Sequence, residues 1–160
     1  GDLRTARLRF RRAEGSSPAL VDALAVLART RADTSAPLGA AYLALARGDS
    51  AAAAAGFAAA ARSVEGATPL VLANAARLYA STRAVDRAIP LWTAIVADHA
   101  SAPEAPEADL EWARALRRAG NTREAAARLE HLIITYPGSA LVAQARRERE
   151  SMINGSNGNR

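Results

Sequence analysis

Apolar positions recur at helical spacing in one block of this chain after another. In "AGNTREAAARLEHLIITYPGS", from Ala119 to Ser139, Ala125, Leu129, Leu132 and Ile133 fall at i, i+4, i+7 and i+8 and share one helix face. Gly120-Asn121 predicts a tight turn before that helix, and the Thr122 hydroxyl is the expected cap, with Glu124 adding negative charge in the first turn. Pro137 and Gly138 end the run. The same layout occurs twice upstream. Gly48-Asp49 predicts a turn and Ser50 a cap before a face of Ala53, Phe57 and Ala60. In "STRAVDRAIPLWTAIVADHASAP" the face is Ala88, Trp92 and Ile95, with Pro90 expected in or near the first turn. The matching alanines, Ala53, Ala88 and Ala125, lie 35 and 37 residues apart.

Each of these helices follows another amphipathic stretch: Ala36 to Ala46, Thr68 to Ser81, and Pro106 to Ala119. The unit is therefore helix, short turn, helix. Such a hairpin cannot bury its apolar face alone, so the copies must stack. Two further helices are predicted outside the three copies. "SPALVDALAVLARTRAD" (Ser17 to Asp33) has Ser17 as cap, Pro18 at the first helical position, and Leu20, Leu24 and Leu27 on one face. "SALVAQARRERESM" (Ser139 to Met152) reads as a terminal helix with an apolar face of Leu141, Val142 and Ala145. The expected division is a basic arm or helix over residues 1–16, a repeat domain over 17–152 and a Gly/Asn/Ser-rich flexible tail over 153–160.

Composition agrees with an all-α chain. Half of the 160 residues are hydrophobic, but most of these are alanine, a strong helix former that lets helix axes approach, and seven aromatics are too few for a sheet protein. The absence of cysteine removes disulfides, thiolate zinc sites and thiol catalysis. All 21 basic residues are arginine, giving a net charge of +5. The chain opens on Gly1, so a signal peptide or lipid anchor would lie ahead of it. No run approaches the ~20 apolar residues that a membrane span requires.

The repeat layout resembles the tetratricopeptide repeat, which places small residues, bulky residues, a turn glycine and a closing proline at set positions. The third copy supplies Ala113, Leu116, Gly120-Asn121, Ala125, Leu129, Leu132 and Pro137; the second supplies Ala76, Tyr79, Ala88, Trp92 and Ile95; the first supplies Ala41, Ala44, Gly48-Asp49, Ala53, Phe57 and Ala60. The second copy has Arg83-Ala84 where the turn glycine belongs. The resemblance covers residues 35–150 and implies a right-handed superhelical solenoid of antiparallel helix-turn-helix hairpins. It implies a concave face lined by the first helix of each hairpin: Leu38, Tyr42 and Leu45, then Ala73, Asn74 and Arg77, then Leu110, Arg114, Arg117 and Arg118. The partner-binding candidates on that face are Tyr42, Leu45, Arg77, Arg114, Arg117 and Arg118. Glu111 stands where the carboxylate clamp of some family members needs a basic residue, so that clamp is not expected. The ending "YPGSALVAQARRE" is similar to the last repeats of bacterial envelope members of the family, the Tol-Pal coordinators and outer-membrane assembly lipoproteins. That resemblance implies an envelope, periplasmic location, with a cytoplasmic one the alternative.

Candidate chemistry is sparse. His99 and His131 are far apart in sequence and match no metal motif, and Glu104, Glu107, Asp109 and Glu111 read as the negative start of a helix. No catalytic, cofactor-binding or metal-ligating residue is expected, and no small-molecule substrate. The N-terminal stretch "LRTARLRFRRA" carries Arg4, Arg7, Arg9, Arg11 and Arg12, a candidate surface for an anionic membrane or an acidic partner. The expected function is a non-enzymatic scaffold or adaptor holding a peptide or partner subunit. One alternative is an accessory subunit docked on a larger membrane complex. A nucleic-acid-binding or regulatory module using the basic arm ranks behind both, since stacking aromatics are lacking.

Overall fold

The structure, a computed structural model, describes residues 1–10, 12 and 17–157, with side chains described as far as residue 154. The described residues are all-helical, with no strand beyond an isolated antiparallel bridge between Asp2 and Thr34. The helices are α1 (Leu3–Phe10), α2 (Pro18–Arg29), α3 (Ala36–Ala46), α4 (Ser50–Ala60), α5 (Thr68–Ser81), α6 (Val85–Asp98), α7 (Ala105–Arg118), α8 (Thr122–Thr135) and α9 (Val142–Asn157). A single 3-10 turn (Ala61–Ser63) extends α4. The chain divides into two compact units, Gly1–Leu91 and Trp92–Arg160, with the division inside α6.

The hairpin turns repeat atom for atom in kind. At the first, the Gly48 N–H reaches the Leu45 carbonyl and the Asp49 N–H reaches the Ala44 carbonyl at 3.0 Å. At the third, Gly120 bonds Arg117 and Asn121 bonds Leu116 at 2.9 Å. At the second, Arg83 bonds Ala80 and Ala84 bonds Tyr79 at 2.8 Å. Each is the paired helix-ending motif that requires a left-handed residue after the cap. That residue has φ of 76° at Gly48, 63° at Arg83 and 84° at Gly120. Arg83 therefore performs the glycine's task with a side chain, at a steric cost that L-residues bear in this region.

Local expectations are corrected at several ends. The cap of α4 is Asp49, whose carboxylate accepts from the Ala52 N–H at 2.9 Å, and Ser50 is the first helical residue. Asn121, not Thr122, occupies the cap position of α8. Pro90 is the sixth residue of α6 rather than a first-turn residue, so it has no N–H to give the Asp86 carbonyl. α9 starts at Val142, three residues later than the Ser139 expected, and runs on to Asn157 through part of the segment expected to be a flexible tail. Ala145 and Met152, two turns apart on α9, are both buried and hold this helix down. Ser17 does cap α2, accepting from the Leu20 N–H at 3.2 Å, with Pro18 at the first helical position.

In the first unit α3, α4 and α5 pack in sequence. Leu38, Ala41, Ala53, Ala54, Phe57, Ala60, Val71 and Ala75 are fully enclosed. The α3–α4 approach is close because it meets at small residues: a Cβ on Gly56 would lie 2.9 Å from the Cα and Cβ of Ala41. Phe57 fills the space beside them and meets Tyr42 edge-on, ring centroids 5.0 Å apart. In the second unit α7 packs on α8 and α8 on α9 around Leu110, Ala113, Leu116, Ala125, Leu129, Leu132, Ala145 and Met152.

Candidate functional site

In the first unit a cavity of about 660 Å³ opens beside α2, α3 and α5. Pro18, Ala19, Val21 and Ala25 of α2, Leu45 of α3, Phe57 of α4 and Leu78 of α5 form its apolar walls, and Asp22, Asn74 and Arg77 supply its polar groups. A mostly apolar concavity with a few convergent polar groups is what a binding site requires.

Those polar groups form a chain of hydrogen bonds. The Asn74 amide nitrogen donates to both Asp22 carboxylate oxygens, at 3.0 and 2.8 Å. The Tyr42 hydroxyl donates to the same carboxylate at 3.2 Å. Arg77 donates to the Asn74 side-chain oxygen at 3.0 Å, which fixes the amide with its nitrogen toward Asp22. Burial, followed by the neighbouring Asp22 charge, pushes the Tyr42 phenol well above its ordinary range, so it stays a neutral donor. Asp22 thus takes its side-chain hydrogen bonds from two neutral donors, the Asn74 amide and the Tyr42 hydroxyl.

The sequence-predicted concave-face residues divide between the two units. Tyr42, Leu45 and Arg77 come together around this cavity and network, Tyr42 through Asp22. Arg114 lies in the second unit and is held by carboxylates, 2.6 Å from Glu111 and 2.6 Å from Glu148 of α9. The Glu148 hydrogen bonds raise the Arg114 pKa, and Arg114 in turn holds the Glu148 carboxyl below the usual range. Arg117 and Arg118 are exposed at the end of α7.

The arginines of the arm also serve different ends. Arg7 reaches the C-terminal end of α2, donating to the Leu27 carbonyl at 3.0 Å and to those of Thr30 and Ala32 at 2.7 Å. A guanidinium at a helix C-terminus satisfies orphan carbonyls and complements the dipole. Arg4 pairs with Asp33 at 2.9 Å on the surface. Arg9 and Arg12 are exposed, and Arg11 lies outside the described residues.

A second polar cluster joins α7 to α8. Asp109, fully buried, meets His131 Nδ1 at 2.6 Å and has Arg128 at 3.7 Å; Arg128 also lies over the Trp112 ring at 4.7 Å. Burial raises the Asp109 carboxyl, against the pull of His131 and Arg128. The sequence reads Asp109 as part of the negative start of a helix. It instead faces the neighbouring helix, and His131 is its partner from 22 positions away. Periodicity within α7 gives one signal: Asp109 lies four residues before Ala113 and seven before Leu116, on the buried stripe. Asp22 carries a weaker form of the signal: it lies four residues before the buried Val26, whereas Ala19, three residues before Asp22, is exposed.

Among the described residues no cluster of three metal-ligating side chains occurs, and no helix is long and apolar enough to cross a membrane. No protein-family model matches the chain, and no curated protein matches it.

Proposed function

We propose that the chain is a non-enzymatic helical-repeat scaffold of the tetratricopeptide type, its hairpins stacked as a right-handed solenoid, and that it holds a protein partner on the α3–α5 face of its first unit. The observation that carries the binding assignment is the 660 Å³ apolar cavity floored by the Asp22–Asn74–Arg77 network. The repeat assignment is supported by three hairpin turns with the same bonding and a left-handed residue at each. An envelope location, with the partner a subunit of a larger complex, is the extension favoured by the "YPGSALVAQARRE" resemblance. The basic arm is the weaker binding surface, because Arg7 is committed to the carbonyls of Leu27, Thr30 and Ala32.

A photo-crosslinking amino acid at Leu78, which borders the cavity, tests the reading in cells of the native host. The same probe at Ile134, exposed in the second unit, is the control. The expected result is a discrete protein adduct from position 78 that position 134 does not give. Identical adducts from both positions, or none from position 78, would overturn it.

A further inference from the structure

Asp22 is brought to the α3–α5 face by a helix that belongs to neither of the hairpins that form it. α2 is secured at its C-terminal end. Arg7 holds the Leu27, Thr30 and Ala32 carbonyls, and Gly66 admits the Arg29 carbonyl so closely that a Cβ there would stand 2.4 Å from it. The N-terminal half of α2 has a looser seat. Pro18, Ala19, Val21 and Ala25 border the large cavity, and Val21 is 57% exposed. On the other flank, a second cavity of about 140 Å³ is bordered by Ala23 and Leu27 of α2 and by Leu38, Gly39 and Tyr42 of α3. The first opens to solvent, and Leu3, Ala6 and Phe10 of α1 border the second as well. The side-chain hydrogen bonds that tie this half to α3 and α5 converge on the Asp22 carboxylate.

The second unit repeats the arrangement with different residues. Tyr42 follows Ala41 in its repeat and Arg114 follows Ala113 in its own, so the two occupy one repeat position. Arg114 also takes a carboxylate from outside its hairpin, Glu148 of α9 at 2.6 Å. In each unit, this position on the first helix of a hairpin binds an acid supplied by an added helix.

We propose that α2 is a built-in occupant of the α3–α5 face, and that the partner this face fits is an amphipathic helix with a carboxylate on its apolar stripe, which takes the place of Asp22 against Asn74 and Tyr42. The inference rests on the scaffold reading and names the partner's chemistry. Covalent tethering gives α2 a high effective concentration at the face. An incoming helix succeeds by filling the space that Ala19, Val21 and Ala25 leave empty while keeping the acid. Partner binding is therefore coupled to release of the N-terminal half of α2.

The probe is a fluorescein-labelled peptide SPALVDALAVLARTRAD, the sequence of residues 17–33, titrated with the whole chain. The Asp22→Ala chain, its own occupant weakened, is expected to bind this peptide at least tenfold more tightly than wild type does. A peptide carrying the same Asp22→Ala change is expected to bind that chain at least tenfold more weakly. Equal binding of both peptides, or binding of neither, overturns the inference. Hydrogen exchange on the wild-type chain needs no variant. Amides of residues 21–26 should exchange at least tenfold faster than those of Ala54 and Phe57, and equal protection overturns the release step. Failure of the peptide with a position-78 adduct still formed removes this inference and leaves the scaffold. Peptide binding without any adduct removes the scaffold reading instead.

Discussion

Arg83 and Gly120 hold the same backbone corner, with φ of 63° and 84°, each followed by a residue whose N–H closes the same six-residue loop onto the preceding helix. The corner is needed because the helix must end and reverse within two residues. Only glycine meets it without a steric penalty. Arg83→Gly is therefore expected to stabilise the chain by about 0.5–1 kcal/mol, the relief of strain exceeding the entropy that glycine adds to the unfolded state. Gly120→Ala, whose new Cβ would meet nothing within 4 Å, should cost about 1 kcal/mol through φ alone. Urea denaturation of both variants checks the pair, and a destabilised Arg83→Gly would contradict the account.

Arg4 and Arg7 lie three positions apart on α1 and both reach Asp33, at 2.9 and 3.6 Å, yet should differ sharply when removed. Arg7→Ala leaves three carbonyls without their donor in a half-buried setting and should cost about 2–3 kcal/mol. Arg4→Ala breaks a pair whose side chains are 75% and 58% exposed, and should change stability by less than about 1 kcal/mol. Lysine at position 7 should recover little, because a single ammonium cannot reproduce the fork that spans Leu27, Thr30 and Ala32. Thermal melts of the three variants measure the contrast.

Local signals made the helices and hairpin turns readable in the sequence. The order of turn glycine, apolar stripe and closing proline is written in one continuous stretch, as from Gly120 to Pro137, and Ser17, Gly48 and Gly120 act where that chemistry places them. The candidate site was only partly readable because its contacts are distant in sequence. Tyr42 and Arg77 were mapped from the repeat, but Asn74 bonds Asp22 across 52 positions. Periodicity identifies a buried stripe and does not say which element covers it, so α2 reads in the sequence only as a further amphipathic helix outside the three copies. Arg7 read as part of a charge run for the same reason: its carbonyl partners lie at least 20 positions away.

Gly66 tests the seating of α2 without touching Asp22. Its φ is 85° and its missing side chain leaves room for the Arg29 carbonyl. Gly66→Ala adds backbone strain and a collision with main-chain oxygen, together about 2–3 kcal/mol. The loss should be concentrated in α2, so hydrogen exchange of residues 26–30 should quicken while Leu129 and Leu132 in the second unit keep their protection. A uniform loss of protection through both units would contradict the local account.

The Arg114–Glu148 pair gives the second unit a pH dependence of known sign. The Arg114 hydrogen bond, foremost, lowers the Glu148 pKa beneath its ordinary value of 4.5, so the unfolded chain binds this proton more readily than the folded one. The stabilisation is therefore complete above about pH 5. It declines as pH falls below 4.5 and is lost once pH passes the lowered folded value. Glu148→Gln removes the titrating group, so its urea midpoint should fall less than that of wild type between pH 5 and about pH 3. Arg114→Ala should remove the same slope from the other side and loosen α9, because Glu111 and Glu148 lose their shared cation. Arg118→Ala, exposed at the end of α7, should leave the midpoint within about 0.5 kcal/mol of wild type at every pH. Parallel acid curves for wild type and Glu148→Gln would show that the pair contributes nothing across this range.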